Sequence, residues 1–309
     1  MRSAWCIAVA AVLMGMTASG GGVFADTIWD YEAVDADGYG THPLVGANPY
    51  DGNGDPTQNK VTIEGLVIAG TGDFVDRNIP GYGAYPFAMY SIWVQDDNAA
   101  KGGIQCWAGA GYWWDTEPVW RTWPDIEAGS RVEVTGWLAD YNGKVFINDR
   151  HDCELMWTAT VLGNPGMPQA EVIGSIADAN YFDQTRVVGG ERWQTRWVKF
   201  EDVRIVGGAE NWGANGEVII SDTDGDDNLV MKLSVMGDFD SYSAPTCTFD
   251  IVGVFDQEDD DGDPYYHDGY RLWVKNFGDI TCVPEPTVGL LLLTGLAGLS
   301  ALRRRRATP

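Results

Sequence analysis

Val61-Thr62-Ile63-Glu64-Gly65-Leu66-Val67-Ile68 places an apolar or small residue at nearly every second position. Side chains of an extended strand point alternately to opposite faces, so this run reads as a β-strand with one face turned to a core. The same period recurs outward along the chain, in Tyr90-Ser91-Ile92-Trp93-Val94-Gln95-Asp96 and Gly103-Ile104-Gln105-Cys106-Trp107. Arg131-Val132-Glu133-Val134-Thr135-Gly136-Trp137 and Lys144-Val145-Phe146-Ile147-Asn148 complete the set. Glycine and Asx clusters separate the runs, as strand-and-turn proteins require. Helical periodicity is almost absent between the two ends of the chain. Residues 60–160 thus read as an all-β module of five strands.

The second half repeats this order of events. Trp197-Val198-Lys199-Phe200-Glu201-Asp202-Val203-Arg204-Ile205-Val206 answers the first strand, and Glu217-Val218-Ile219-Ile220-Ser221-Asp222 answers the second. Residues 228–235 match the third, Thr248-Phe249-Asp250-Ile251-Val252-Gly253-Val254 the fourth with its glycine, and Tyr270-Arg271-Leu272-Trp273-Val274 the fifth. Residues 197–282 therefore read as a divergent second copy of the module. An extended lead (26–59) and a linker (161–196) are expected around the first copy.

Five strands, with a long insert after the third and a glycine midway along the fourth, resemble the OB-fold, a small Greek-key barrel. A mid-strand glycine suits a barrel because it permits a bulge or sharp coil where the sheet closes. The expectation is an all-β protein of two tandem five-stranded OB-like barrels, flanked by an N-terminal signal helix and a C-terminal transmembrane helix. A single β-sandwich of about nine or ten strands is the rival. Residues 60–65, 146–152, 203–213 and 269–274 look like a set of exported planctomycete-type proteins, a likeness that implies no particular activity.

The ends of the chain give an address. Arg2 is followed by an apolar or small stretch to Met16 and a small-residue region ending Val23-Phe24-Ala25, which reads as a secretory signal peptide cleaved after Ala25. Its apolar core is shorter than the roughly 20 residues a membrane span needs. At the other end stand Val283-Pro284-Glu285-Pro286, an apolar run over 287–302, and Arg303, Arg304, Arg305 and Arg306. The prolines stop any helix from the body, and the apolar run gives a helix on the order of 24 Å long. Guanidinium groups that snorkel to the headgroups make that length sufficient and hold the end in the cytoplasm.

Those residues resemble the PEP-CTERM sorting signal, a tripartite tail read by the membrane protease exosortase in bacteria that make exopolysaccharide. The resemblance implies anchoring in the inner membrane, cleavage near Pro284 to Pro286, and passage of the body to the cell surface or beyond. Its partners would be the Sec translocon, signal peptidase and exosortase. An ordinary C-terminal anchor is the competing reading.

The formal net charge is −25, and removing the ends takes away five arginines but only one glutamate, so the exported body is more acidic still. Such a surface repels phosphate backbones, which disfavours nucleic acid as a partner. Cations and hydrated polysaccharide suit it better. With Cys6 lost, Cys106, Cys153, Cys247 and Cys282 remain, an even number that reads as disulfides in an exported chain. Three pairings are possible; Cys106–Cys153 and Cys247–Cys282 are favoured because each stays within one module. A zinc site competes, but no C-x-x-C spacing supports it.

Two acidic runs, residues 222–227 and 256–263, carry Asp222, Asp224, Asp226, Asp259, Asp261 and Asp263 as candidate Ca²⁺ ligands. Neither fits the EF-hand template, and Asp-Gly hairpin turns in an acidic protein produce the same letters. Trp113, Trp114, Trp120 and Trp123 lie in a predicted loop, where rings either plug the barrel end or stack on sugars. The cluster Asp149-Arg150-His151-Asp152 reads as a hydrogen-bonded strand end, since adjacent strand residues face opposite ways. No catalytic residue and no enzyme motif is identified. The functional expectation is a non-enzymatic surface or matrix protein, with no cofactor beyond Ca²⁺. A carbohydrate-binding module, or a non-catalytic accessory of a secreted nuclease or glycosidase, are the alternatives.

Overall fold

The structure is a computed structural model, and it describes residues 26–48, 50, 58–71, 73–74, 90–96, 102–108, 125–148, 157–222, 227–259, 262 and 264–284. Five strands form the first barrel: β1 (Val61–Ala69), β2 (Tyr90–Gln95), β3 (Gly103–Ala108), β4 (Arg131–Tyr141) and β5 (Lys144–Asn148). They hydrogen-bond in the order β1-β2-β3-β5-β4, and β4 returns to pair with β1, closing the sheet on itself. Every pairing is antiparallel except that of β3 with β5. A further strand, β6 (Thr158–Gly163), adds to the outer edge of β4.

The second barrel is the same construction. After β7 (Glu171–Val172) come β8 (Arg196–Gly207), β9 (Glu217–Ser221), β10 (Leu229–Leu233), β11 (Phe249–Gln257), β12 (Tyr270–Val274) and β13 (Ile280–Cys282). β8, β9, β10, β12 and β11 close through the β11–β8 ladder, with β10 and β12 parallel. β13 pairs with β11 as β6 pairs with β4, and β7 runs parallel beside β8. This is the OB-type barrel twice over. The sandwich alternative is corrected by the two closures, which leave no pair of open sheets to face each other.

Each barrel is filled by the apolar phase of its strands. Val61, Ile63, Val67, Ile92, Val94, Ile104, Val132, Val134 and Ile147 form the first core, and Val198, Phe200, Val218, Ile220, Met231, Phe249, Phe255 and Leu272 the second. The matching glycines Gly136 and Gly253 have ordinary negative-φ backbone. Their role is close approach: a Cβ at Gly136 would lie 2.5 Å from the Ile147 side chain, and one at Gly253 would strike the Trp273 carbonyl.

Two boundaries differ from expectation. The lead is folded, not extended: α1 (Ile28–Tyr31) buries Ile28 and Tyr31 in the first core, Leu44 and Val45 pack beside them, and Gly46 N–H donates to the Leu138 carbonyl. The linker belongs largely to the second barrel, because Ile173 with Ile176 and Ala179 of α2 (Ile176–Ala179) sit in its core. Apolar side chains at these positions had somewhere to be buried, which short, aperiodic segments do not disclose.

Candidate functional site

OB-type barrels take ligands on the outer face of their second and third strands. In the first barrel that face carries Ser91, Trp93 and Gln95 of β2 and Gln105 of β3, all of them buried. The second barrel covers it. Trp93 packs with Ile68, Ala69, Phe74, Val254 and Trp273, with Trp197 alongside. Trp197 N–H donates to Gln95 Oε1 at 2.9 Å, and a Cβ at Gly103 would overlap the Thr195 carbonyl oxygen. The equivalent face of the second barrel is partly covered, with Glu217 exposed and Ser221 buried. There Ile219 of β9 lies opposite Val230 of β10, both half-buried, and Lys232 Nζ bonds Glu217 at 3.0 Å while sitting 4.9 Å from the Trp273 ring centroid.

The covered junction holds a cluster of buried charges. Asp256 of β11, 1% exposed, accepts from Lys144 Nζ at 3.0 and 3.1 Å, Arg271 Nε at 3.1 Å, Arg271 Nη2 at 2.9 Å and Trp273 Nε1 at 3.2 Å. Arg271 also pairs with Glu258. Burial opposes ionisation of Asp256, but Lys144 and Arg271 together outweigh it and hold its pKa below the usual carboxylate value. Lys144 belongs to the first barrel, so this ion cluster bridges the two. Gln194 Nε2 spans the same seam, donating to the Gly143 carbonyl at 3.1 Å and to Gln257 Oε1.

A second buried group lies beside it. Glu191 of α3 (Gly190–Trp193) accepts from Tyr270 Oη at 2.7 Å. Burial pushes its pKa up to about 7, with the Tyr270 hydrogen bond and Arg186 opposing in part. Glu32, at the end of α1, is raised well above the carboxylate range by burial, against the pull of Arg186. Arg186 donates to the Trp29 carbonyl at 2.5 Å and stacks 3.9 Å over that ring, tying the N-terminal segment to the second barrel. Arg196, 1% exposed, pairs with Glu171. Through these contacts the N-terminal segment and β7 are tied to the second barrel.

The sequence-derived candidates divide as follows. Cys247 and Cys282 form a disulfide with a Cα–Cα distance of 5.8 Å. Among the described residues Cys106 is a buried free thiol whose pKa burial drives upward; its expected partner, Cys153, lies outside the described residues. Asp222 Oδ2 accepts from Ile176 N–H at 2.8 Å and caps α2. Asp259 is buried, with its N–H donating to the Asn142 carbonyl at 3.0 Å and Oδ2 accepting from Asp268 N–H at 3.4 Å. Among the described residues, no group of three or more His, Cys, Asp or Glu could hold a metal ion. Asp224, Asp226, Asp261, Asp263, Trp113, Trp114, Trp120, Trp123 and the 149–152 cluster lie outside the described residues, as do Ala25 and the signal segment.

At the C-terminal end, Val283 N–H donates to the Thr248 carbonyl at 2.8 Å and Pro284 is exposed; Glu285, Pro286, the apolar run and Arg303 to Arg306 lie beyond the described residues. Among the described residues no helix is long and apolar enough to cross a membrane.

Sequence reasoning missed Glu32, Lys144, Arg186, Glu191, Arg196 and Asp256. One signal was present: Trp93, Trp197 and Trp273 stand on the phase of their strands opposite the core, where solvent-facing strands carry polar residues. Large rings on both phases mark a strand covered on both sides. No family model matches the chain, and no curated protein matches it.

Proposed function

We propose that the chain is an exported, non-enzymatic surface or matrix protein, tethered to the inner membrane by its C-terminal tail until exosortase-type cleavage sends the body outward. The Sec translocon and signal peptidase deliver it. The observation that carries this reading is the exposure of Pro284, the first residue of the Pro-Glu-Pro motif, directly after β13, which is bonded to Cys247 through Cys282, and Val283, whose N–H donates to the Thr248 carbonyl. A protease needs such a site free of the fold. The disulfide suits an oxidising compartment. The welded barrels, carrying a net charge of −25 over the whole chain, act as a rigid acidic spacer among polysaccharide and divalent cations. Mass spectrometry of the mature protein from its native host tests this: loss of residues 1–25 and an end near Pro284 is expected, and an intact arginine-cluster tail removes the exosortase step.

A carbohydrate-binding reading gains from one observation. The outer β9–β10 face keeps Ile219, Val230 and Lys232 partly exposed, while its counterpart in the first barrel is buried. Binding to exopolysaccharide fragments that is lost on Val230→Asp, with unchanged melting temperature, would move the function to this face.

A further inference from the structure

The second barrel has two ends of different character. β8 and β10 run toward one end and β11 starts from it, so this end gathers the chain after β8, the connection between β10 and β11, and the stretch after β12. There Met236, Tyr242 and Val206 are 56%, 47% and 41% exposed. Tyr242 is no loose side chain. Its ring lies flat on Phe277 with centroids 4.2 Å apart and planes 5° apart, Phe277 meets Trp212 edge-on, and Trp212 meets the core residue Phe239 at 90°. Trp212 Nε1 donates to the Tyr242 carbonyl at 3.0 Å, fixing the loop that carries the ring. Two of the nearby carboxylates cap loops, Asp238 accepting from Phe277 N–H at 2.7 Å and Asp240 from Ala214 N–H at 2.8 Å, while Glu210 is exposed.

Pro284 stands at this same end, because Cys282 pairs with Phe249 at the start of β11. Only Glu285 and Pro286 separate Pro284 from the apolar run that begins at Thr287. Three residue steps reach at most about 10 Å. The polar layer on each side of a bilayer is itself about 6 Å deep. If the tail spans, this end of the barrel has nowhere to sit except against the headgroups.

We infer that the Val206–Met236–Tyr242 end of the second barrel is a lipid-contacting surface, resting in the headgroup layer while the tail is uncut. The inference rests on the tethered state proposed above. Tyrosine and tryptophan suit that layer because each has an apolar body and a polar tip. A glycan could also stack on Tyr242, but the exit of the chain beside the ring favours lipid. Contact at this end holds the Pro-Glu-Pro motif at membrane level, within reach of a protease embedded there.

The test uses the full chain reconstituted in vesicles of phosphatidylethanolamine and phosphatidylglycerol, with hydroxyl-radical footprinting read by mass spectrometry. Tyr265 provides an internal reference, since it is also 47% exposed and lies in the loop between β11 and β12 at the opposite end. In vesicles, modification of Tyr242 should fall severalfold below that of Tyr265. Equal rates in a chain that floats with the vesicles would overturn the inference and leave the tether standing. A chain that does not float would overturn both. Equal rates with Tyr242 protected by added host exopolysaccharide would assign the patch to glycan instead.

Discussion

Asp256→Asn removes one negative charge from the junction while keeping the side chain's shape. In the native protein that carboxylate collects Lys144 at 3.0 Å, both Arg271 donors and the Trp273 indole N–H. With Asn in its place, Lys144 is left as a buried ammonium without an anion, and Arg271 keeps only Glu258. Breaking a buried pair by removing one partner costs about 3–5 kcal/mol, far above the ~1 kcal/mol of a surface pair. For a body of this size that corresponds to a fall in melting temperature of about 10 °C. Urea denaturation at pH 7 with the disulfide intact, followed by tryptophan fluorescence, measures it. Because Lys144 and Asp256 come from different barrels, the native protein is expected to unfold in one transition and the variant in two. The double variant Lys144→Met with Asp256→Asn removes the orphaned cation and should regain most of the loss. A cost below about 1 kcal/mol for Asp256→Asn, the range of exposed pairs, would refute the reasoning. So would a double variant no more stable than the single one.

Three other outcomes follow from the same structure. Glu191 has its pKa raised to about 7 by burial, so the folded state holds a proton that the unfolded chain, at the ordinary value of 4.5, has released. Its contribution is complete below pH 4.5 and is lost as pH rises through 7, and Glu191→Gln should flatten the decline in stability over that window by up to on the order of 3 kcal/mol. Denaturation midpoints at pH 4.5 and pH 8 test the sign. Gly103→Ala drives a methyl group into the Thr195 carbonyl at the seam, and should cost about 3 kcal/mol or more and expose residues 164–170 to limited proteolysis. Cys282→Ser opens a 35-residue separation and should lower stability by roughly 4 kcal/mol, with no effect on the first barrel's strand content by circular dichroism.

Much of the fold was legible because a closed barrel leaves a periodic record. Each barrel strand needs one apolar phase, and all ten were readable from Val61 to Val274, with the glycine midway along β4 and β11 marking where a neighbouring strand presses close. β6 and β13 escaped notice for a physical reason: they add to an outer edge, have little core face, and so need no alternation. The Cys247–Cys282 bond followed from the even cysteine count and the module boundary. The charged junction did not, because Lys144 and Asp256 are 112 residues apart and each reads as an ordinary polar-phase residue of its strand. Only the tryptophans on that same phase hinted that a second surface was buried there, and nothing in their spacing named the partner. Glu32 was hidden further still, in a segment without periodicity.

The disulfide on β13 has a mechanical consequence. Any pull applied to the polypeptide beyond Pro284 enters the body at Val283, and β13 alone, three residues long, would unzip from β11 one ladder rung at a time. With Cys282 bonded to Cys247, the load bypasses β13 and passes into the start of β11, whose ladder to β8 runs the length of the barrel and must shear as a unit. The covalent link thus turns a three-residue strand into a fixed handle, so that a pull from the C-terminal side strains the barrel wall and leaves β13 in place.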